Sequence, residues 1–254
     1  MSKFFVPKEN IFDDKIFITG GDVAHILKVL RMKKNDKLCL CDGKGIDYEA
    51  SIFEVSNDKI VCEILSQKKS DTEANIEVTL FQGIPKASKM DYIIQKTTEL
   101  GIVRIVPCEM TRCVSKLDKK DAVKKCERWQ KISEEAAKQS GRGVIPEVHA
   151  PVTFDEAINL MKQSDLCFAP FECEEQTTLK SILTQKSDVK TVSYIIGPEG
   201  GFDMDEVEKL KNNGVKTVTL GKRILRTETA GEAVLSMVMY ELGDINKLCG
   251  GEEK

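Results

Sequence analysis

Ile195-Ile196-Gly197-Pro198-Glu199-Gly200-Gly201-Phe202 is followed, one helix and one strand later, by Leu220-Gly221-Lys222-Arg223-Ile224-Leu225-Arg226-Thr227-Glu228-Thr229-Ala230-Gly231. Two short apolar runs, Thr191–Ile196 and Lys216–Leu220, lead into these loops, and each meets a glycine. Read as strands, they stop where the backbone must turn sharply or approach a ligand closely. Asp203 and Glu206 have the spacing of a helix N-cap with an acidic third position, and Thr229 and Glu232 repeat it. Two neighbouring strand-to-helix junctions therefore carry long loops where a tight turn would suffice. In open α/β sheets, ligands sit outside the carboxyl ends of the strands. Ordinary loop punctuation is the competing reading of either loop alone. Neither is a phosphate cradle, for the chain has no G-x-G-x-x-G and no G-x-x-x-x-G-K-[ST].

Outward from this stretch, the chain from Ile76 alternates strand and helix. Ile76–Phe81 is an apolar run, and Ser88 caps a helix to about Leu100 that Gly101 ends. Ile102–Val106 is a strand closed by Pro107, and Asp121–Ser140 a long helix carrying Trp129 and stopped by Gly141. Phe154–Met161 reads as helix, Leu166–Ala169 as strand, Thr177–Leu183 as helix and Glu232–Leu242 as an apolar final helix, with a frayed tail at Gly250–Lys254. This alternation predicts an α/β fold, a mostly parallel sheet with helices on both faces.

Residues 1–70 have a different texture. Asp22 could cap a short helix presenting Val23, Ile26, Leu27 and Leu30. Lys37–Cys41, Ile46–Val55 and Lys59–Leu65 alternate or cluster apolar residues between hairpin-turn signals, which suggests a small β-barrel. Gln67–Asn75 is polar and aperiodic and reads as a linker. Two domains are expected, 1–70 and 71–254. Lys28, Arg31, Lys33, Lys34, Lys37 and Lys44 cluster around the first helix and turn, as phosphate contacts or as a solvated face. His25 reads as structural.

The 254 residues are 41% hydrophobic and 31% charged, the proportions of a globular protein with a sizeable core. No apolar run approaches the roughly 20 residues that span a bilayer. The start, Met1–Pro7, is too short and too soon broken by proline for a signal peptide. Nine scattered cysteines without a C-x-x-C pair read as free thiols of a reducing compartment, so a cytoplasmic location is expected. With only His25 and His149, no metal site is expected. Net charge is −3, split as +1 over Met1–Ser70 and −4 beyond, so any nucleic acid must be met by local patches.

GPEGGF followed by LGKRILRTETA resembles the ribosomal RNA small subunit methyltransferase E family, within the SPOUT superfamily of knotted methyltransferases. The likeness extends to Lys86–Val103, Trp129–Arg142 and His25–Met32. It implies a PUA-like N-terminal domain that holds RNA and a C-terminal trefoil knot, which sequence physics alone would not predict. It also implies a homodimer with the site near the interface. The implied activity is methyl transfer from S-adenosylmethionine to N3 of a uridine in the decoding region of 16S ribosomal RNA, in the small ribosomal subunit. The cofactor has no phosphates, so close backbone and apolar walls suffice. Candidate contacts are Phe171, Ile196, Gly197, Pro198, Gly200, Gly201, Leu220, Gly221, Ile224, Leu225 and Ala230. Arg226 is the leading catalytic candidate, stabilising the uracilate or holding the base. Glu199 removes the proton or fixes its loop by hydrogen bonds. RNA contacts are expected at Lys28, Arg31 and Lys33, and from the larger domain at Lys86, Lys89, Arg112, Arg142 and Arg223. For Arg142 a helix C-cap is the alternative.

Overall fold

The computed structural model describes residues 3–114, 117–185 and 188–246; the expected frayed tail and Cys249 lie outside the described residues. The chain divides into two units. One comprises the chain up to Glu73 with Ala137–Ile145, the other Ala74–Ala136 with the chain from Pro146 onward.

In the first unit, β1 (Lys3–Phe5), β2 (Lys15–Thr19), β3 (Lys37–Cys41), β4 (Ile46–Val55) and β5 (Lys59–Lys69) form one sheet. Their order is β1-β3-β4-β5-β2, antiparallel except for β1 with β3. Period-two alternation turns Phe4, Ile16, Ile18, Leu38, Leu40, Ile52 and Ile60 inward, and the sheet curls around them. Register shifts between Glu49/Ala50 and Ile52/Glu54 add to the bend. β1 and β2 remain edges, so the expected barrel is an open curl.

Two expectations here are corrected. β5 runs through Gln67–Lys69, paired with Ile46–Tyr48, although Gln67–Asn75 reads as linker. These residues are exposed, so no apolar alternation marks the strand. The short helix α1 (Gly21–Ala24), continued by a π-turn at His25–Val29, starts after Gly20 and not at Asp22. The Asp22 carboxylate instead pairs with Lys138. His25 packs edge-on to Phe4, with ring centroids 5.8 Å apart.

The second unit contains β6 (Glu77–Gly83), α2 (Lys89–Glu99), β7 (Arg104–Glu109), α3 (Lys119–Ser140), β8 (Glu147–Val148), β9 (Val152–Thr153) and α4 (Phe154–Met161). It continues with β10 (Leu166–Pro170), α5 (Leu179–Leu183), β11 (Thr191–Ile196), α6 (Met204–Asn212), β12 (Lys216–Val218) and α7 (Thr227–Glu241). The sheet order is β12-β10-β11-β6-β7-β8, with β9 on β7, and every pairing is parallel. Alternation again assigns the faces. Val78, Leu80, Tyr194 and Val218 join a core with residues of α2, α5 and α7. Phe81, Val106, Ala169 and Ile195 join another with residues of α4 and α6.

Pro107 does not close its strand; it lies inside β7, opposite Gln82. Ile105 O accepts from His149 N on the outer side, and Cys108 O accepts from Ile84 N on the β6 side. Pro107 shares the parity of Ile105, so its nitrogen faces outward, between the β8 and β9 pairings, where no ladder bond is lost. Helix α7 starts at Thr227, with Arg226 as N-cap, so Thr229 and Glu232 are not a capping box. Ser88 holds its N-cap position, but its hydroxyl makes no cap bond.

Because β12, β10 and β11 are parallel neighbours, their carboxyl ends lie side by side. The loops after all three leave from one edge.

Candidate active site

The loop after β11 folds back on itself, with Gly201 N–H donating to Pro198 O at 2.9 Å. Gly201 sits at φ +68°, and a Cβ there would stand 3.2 Å from Glu172 Oε1 in the loop after β10. The chain then enters α6 through a capping box, Asp203 and Glu206 bonding each other's backbone ends. Glu206 also accepts Thr111 N–H at 2.8 Å. In the loop after β12, Gly221 adopts φ +94° and donates to Thr219 Oγ1 at 3.1 Å.

Thr227 ties the two loops together. Its hydroxyl donates to Gly197 O at 2.6 Å and accepts from Gln82 Nε2 at 2.9 Å. Both side chains are buried. Tyr194 OH, also buried, donates to Gly231 O at 3.0 Å and fixes the next turn of α7 on β11.

Two adjoining cavities open at this edge. One of about 430 Å³ is lined by Ile196, Gly197, Pro198, Gly200, Gly201 and Arg226, among others. The second, about 150 Å³, is lined by Phe171, Leu220 and Gly221. Both share Pro170, Glu172, Ile224, Leu225 and Ala230, so they form one cleft. The larger volume lies within the roughly 300–1,000 Å³ of small-molecule sites. All eleven residues expected around the cofactor come together here. Ile224 is 88% exposed at the junction, an apolar surface that a bound flat ring would cover.

The charges divide into paired and unpaired. Lys89 Nζ lies 3.2 Å from Glu199 Oε1 and 3.2 Å from Glu228 Oε2, bridging the first loop to α7. Glu199 Oε1 also accepts Lys86 N–H at 3.1 Å. Burial pushes the Glu199 carboxyl up, but its own N–H, that of Lys86 and the Lys89 ammonium outweigh this and hold it below the ordinary carboxylate value. Desolvation opposes the Lys89 charge, yet its two carboxylates raise its pKa. Glu199 is thus ionised and weakly basic, which suits loop fixing better than proton removal. Lys89 is committed to carboxylates and is no free phosphate contact. Arg226 and Glu172 make no ion pair among the described residues.

The other basic candidates also separate. Lys86 and Arg223 are exposed and without an ion pair among the described residues. Arg112 Nη1 donates to Gly200 O at 3.0 Å, and Nη2 reaches Asp203 Oδ2 at 3.4 Å, so it props the first loop. Arg142 is corrected. It is 4% exposed, and its guanidinium binds Glu73, whose Oε1 also accepts Gly143 N–H at 2.8 Å. It anchors a backbone turn inside the first unit, so its guanidinium is spent on Glu73. Lys28, Arg31 and Lys33 are exposed in that unit. Sequence reasoning missed Gln82 and Thr227. A polar glutamine directly after an apolar run was the available signal for the first; the second stood inside the quoted loop with nothing to mark its distant partner.

Among the described residues, no helix is long and apolar enough to cross a membrane, and no group of three or more His, Cys, Asp or Glu could hold a metal ion. An RNA methyltransferase domain model matches residues 72–239, and an RNA methyltransferase PUA domain model matches 18–65. Ribosomal RNA small subunit methyltransferase E of Bacillus subtilis (strain 168) is 36% identical over 95% of this chain and 97% of its own length. The Neisseria gonorrhoeae ribosomal RNA small subunit methyltransferase E, solved with S-adenosyl methionine, superposes with a TM-score of 0.85 at 31% identity, over 96% of this chain and 99% of that one. A Legionella pneumophila protein solved with the same cofactor gives 0.83 at 31%, over the same shares. The chain therefore belongs to the ribosomal RNA small subunit methyltransferase E family, with an RNA methyltransferase domain and its PUA domain.

Proposed function

We propose that this protein transfers a methyl group from S-adenosylmethionine to N3 of a uridine in 16S ribosomal RNA, acting in the cytoplasm on the small ribosomal subunit. The observation that carries the reading is the cleft itself. Two glycine loops and the Pro170–Glu172 turn line a cleft with apolar walls at Phe171, Leu220, Ile224 and Leu225 beside an unpaired arginine. The residues fit the donor: Phe171, Leu220, Ile224 and Leu225 would flank its adenine, and Gly197, Gly200 and Gly201 bring backbone close to the rest. When bound, the donor supplies an electrophilic methyl on a cationic sulfur. Arg226 would hold the uracil and balance the negative charge left when its N3 proton departs. The amino end of α7 adds positive potential at the same place. Guanidinium cannot act as a base.

In this reading residues 1–70 form the RNA-holding domain, with Lys28, Arg31 and Lys33 on phosphates, and residues 71–254 the methyltransferase domain, with Lys86 and Arg223 beside the cleft. The packing of α7 on α2, β6 and β11 supports a trefoil knot, in which the segment from Leu220 passes through an earlier loop. Tyr92 on α2 and Met237 and Tyr240 on α7 are 47%, 44% and 60% exposed, and these apolar surfaces support a homodimer.

The test is incubation with small ribosomal subunits from a strain lacking the enzyme, using labelled donor, followed by mapping of the modified base. One labelled uridine, blocked at N3, is expected. Label on another base or on ribose would overturn the assignment, and no label with subunits or naked RNA would overturn the activity.

A further inference from the structure

The outer face of the curled sheet carries aromatic rings where solvent-facing positions should be polar. Phe53 is 46% exposed on β4, and Phe12 is 49% exposed on the turn before β2. Phe12 N–H donates to Lys15 O at 2.8 Å, and this turn sets the Phe12 ring 4.8 Å from Phe17. Lysines stand over the rings. Lys59 Nζ lies 3.4 Å from the Phe17 centroid, and Lys15 and Lys34 lie 5.4 and 5.1 Å from that of Phe53. Lys34 is brought there by its loop, which Asn35 N–H to Ile52 O and Ile52 N–H to Asp36 O lace onto β4. Two loop residues, Arg31 and Asn35, take left-handed backbone at φ 54° and 73°.

We propose that this face is a stacking platform for single-stranded RNA, with bases on Phe12 and Phe53 and phosphates on Lys15, Lys34 and Lys59. It deepens the RNA-substrate reading above and rests on it. Every base has a π-face, so rings interleaved with cations suit an unpaired strand of any sequence. Cation–π contacts at exposed sites are weak. A base can therefore take a ring while the ammonium swings to the neighbouring phosphate. The patch is not simply basic, since Glu63 stands opposite Lys15 in the ladder and Asp13–Asp14 form the turn. Affinity must come from the rings more than from charge, and this separates the platform from the exposed Lys28–Lys33 cluster.

The experiment is fluorescence anisotropy of the full-length protein with labelled oligouridine and with an RNA duplex of equal length, without methyl donor. Phe53→Ala and Phe12→Ala should each weaken oligouridine binding about five- to a hundredfold and leave duplex binding unchanged. Phe53→Trp should hold or raise affinity while Phe53→Leu lowers it, a comparison that survives if the alanine variants fold poorly. The salt dependence should be shallow, a log–log slope of about −2 for three phosphates. Unaltered oligouridine binding in the ring variants, equal losses on duplex, or wild type binding neither RNA would overturn the platform. The labelled-methyl assay on ribosomal subunits reads the activity separately, so a failed platform and a failed methyltransferase reading give different results.

Discussion

Replacing Gly201 by alanine separates a loop that merely turns from one whose shape a ligand requires. At φ +68°, any side chain strains the backbone by about 1–2 kcal/mol. The three atoms nearest the added Cβ all belong to the Glu172 carboxylate, the closest being Oε1 at 3.2 Å, the movable end of an exposed side chain, so sterics add little. Alanine also restricts the unfolded chain, which recovers about 0.4–1 kcal/mol. The net stability loss is then about 0–1.5 kcal/mol, and the melting temperature falls by at most about 6 °C. Affinity has no such offset. Whatever part of the strain the unliganded loop sheds by relaxing, a ligand must restore, so donor binding weakens by up to about five- to thirtyfold and the melt shifts correspondingly less. Gly214 is the matched control. It has φ +79°, nothing within 4 Å of its missing Cβ, and a place at the end of α6 outside the cleft. Titration calorimetry with S-adenosylmethionine, beside thermal melts, reads both quantities. Gly214→Ala should shift the melt at least as much as Gly201→Ala does and leave affinity alone. Equal affinities for both variants would refute the claim that the donor reads this backbone.

Arg226→Ala should lower turnover about 10²- to 10³-fold, the scale of losing a group that meets developing charge, with donor affinity little changed; single-turnover kinetics at saturating RNA would reveal an unaltered rate if Arg226 is a bystander. Thr227→Val leaves the buried Gly197 carbonyl unpaired, costing about 1–3 kcal/mol, and should lower both melting temperature and donor affinity, with Thr227→Ser restoring them; an affinity unchanged in the valine variant would mean the two loops are not coupled there. Glu199 carries a lowered folded pKa, so its stabilisation is complete above the ordinary value of 4.5 and is lost as pH falls through the folded value. Glu199→Gln should therefore melt lower than wild type at neutral pH and match it in acid, and a constant difference across pH would exclude the linkage.

The sheet, its helices and the two site loops were legible because each leaves a local signature. The apolar run at Thr191–Ile196 is buried from both faces, Ile76–Phe81 buries Ile76, Val78, Leu80 and Phe81, and the glycines mark backbone that only glycine adopts cheaply. What escaped is what depends on partners far along the chain. Thr227 looks like a helix-start residue, yet its hydroxyl is spent on Gly197, 30 positions earlier. Arg142 reads as a free cation beside a glycine, and only the fold brings Glu73 to it. Lys89 and Arg112 likewise carry charge suited to RNA, but the structure sets carboxylates or carbonyls against both. Polar strand residues such as Gln67–Lys69 carry no periodicity because both their faces are wet.

The way this site is tied together bears on how the proton at N3 is handled. A general base contributes about 10²–10⁴-fold, roughly 3–5 kcal/mol, whereas holding two reactants in line can supply about 7–11 kcal/mol. Thr227, Lys89 and Arg112 all hold the loops in place, and none of them can take a proton from uracil. Glu199, the carboxylate the sequence suggests for the role, is held ionised by Lys86 N–H and Lys89, and a carboxylate made that stable is a poor acceptor. Turnover should then follow the ionisation of the uracil itself, helped by Arg226. The rate at saturating donor and RNA should keep rising with pH through the neutral and mildly alkaline range, without a plateau set by an enzyme carboxylate. Arg226→Ala should lower that line without bending it. A rate already level across the neutral range, which Glu199→Gln turns into one that rises with pH, would show that this carboxylate takes the proton and that the site does more than position its reactants.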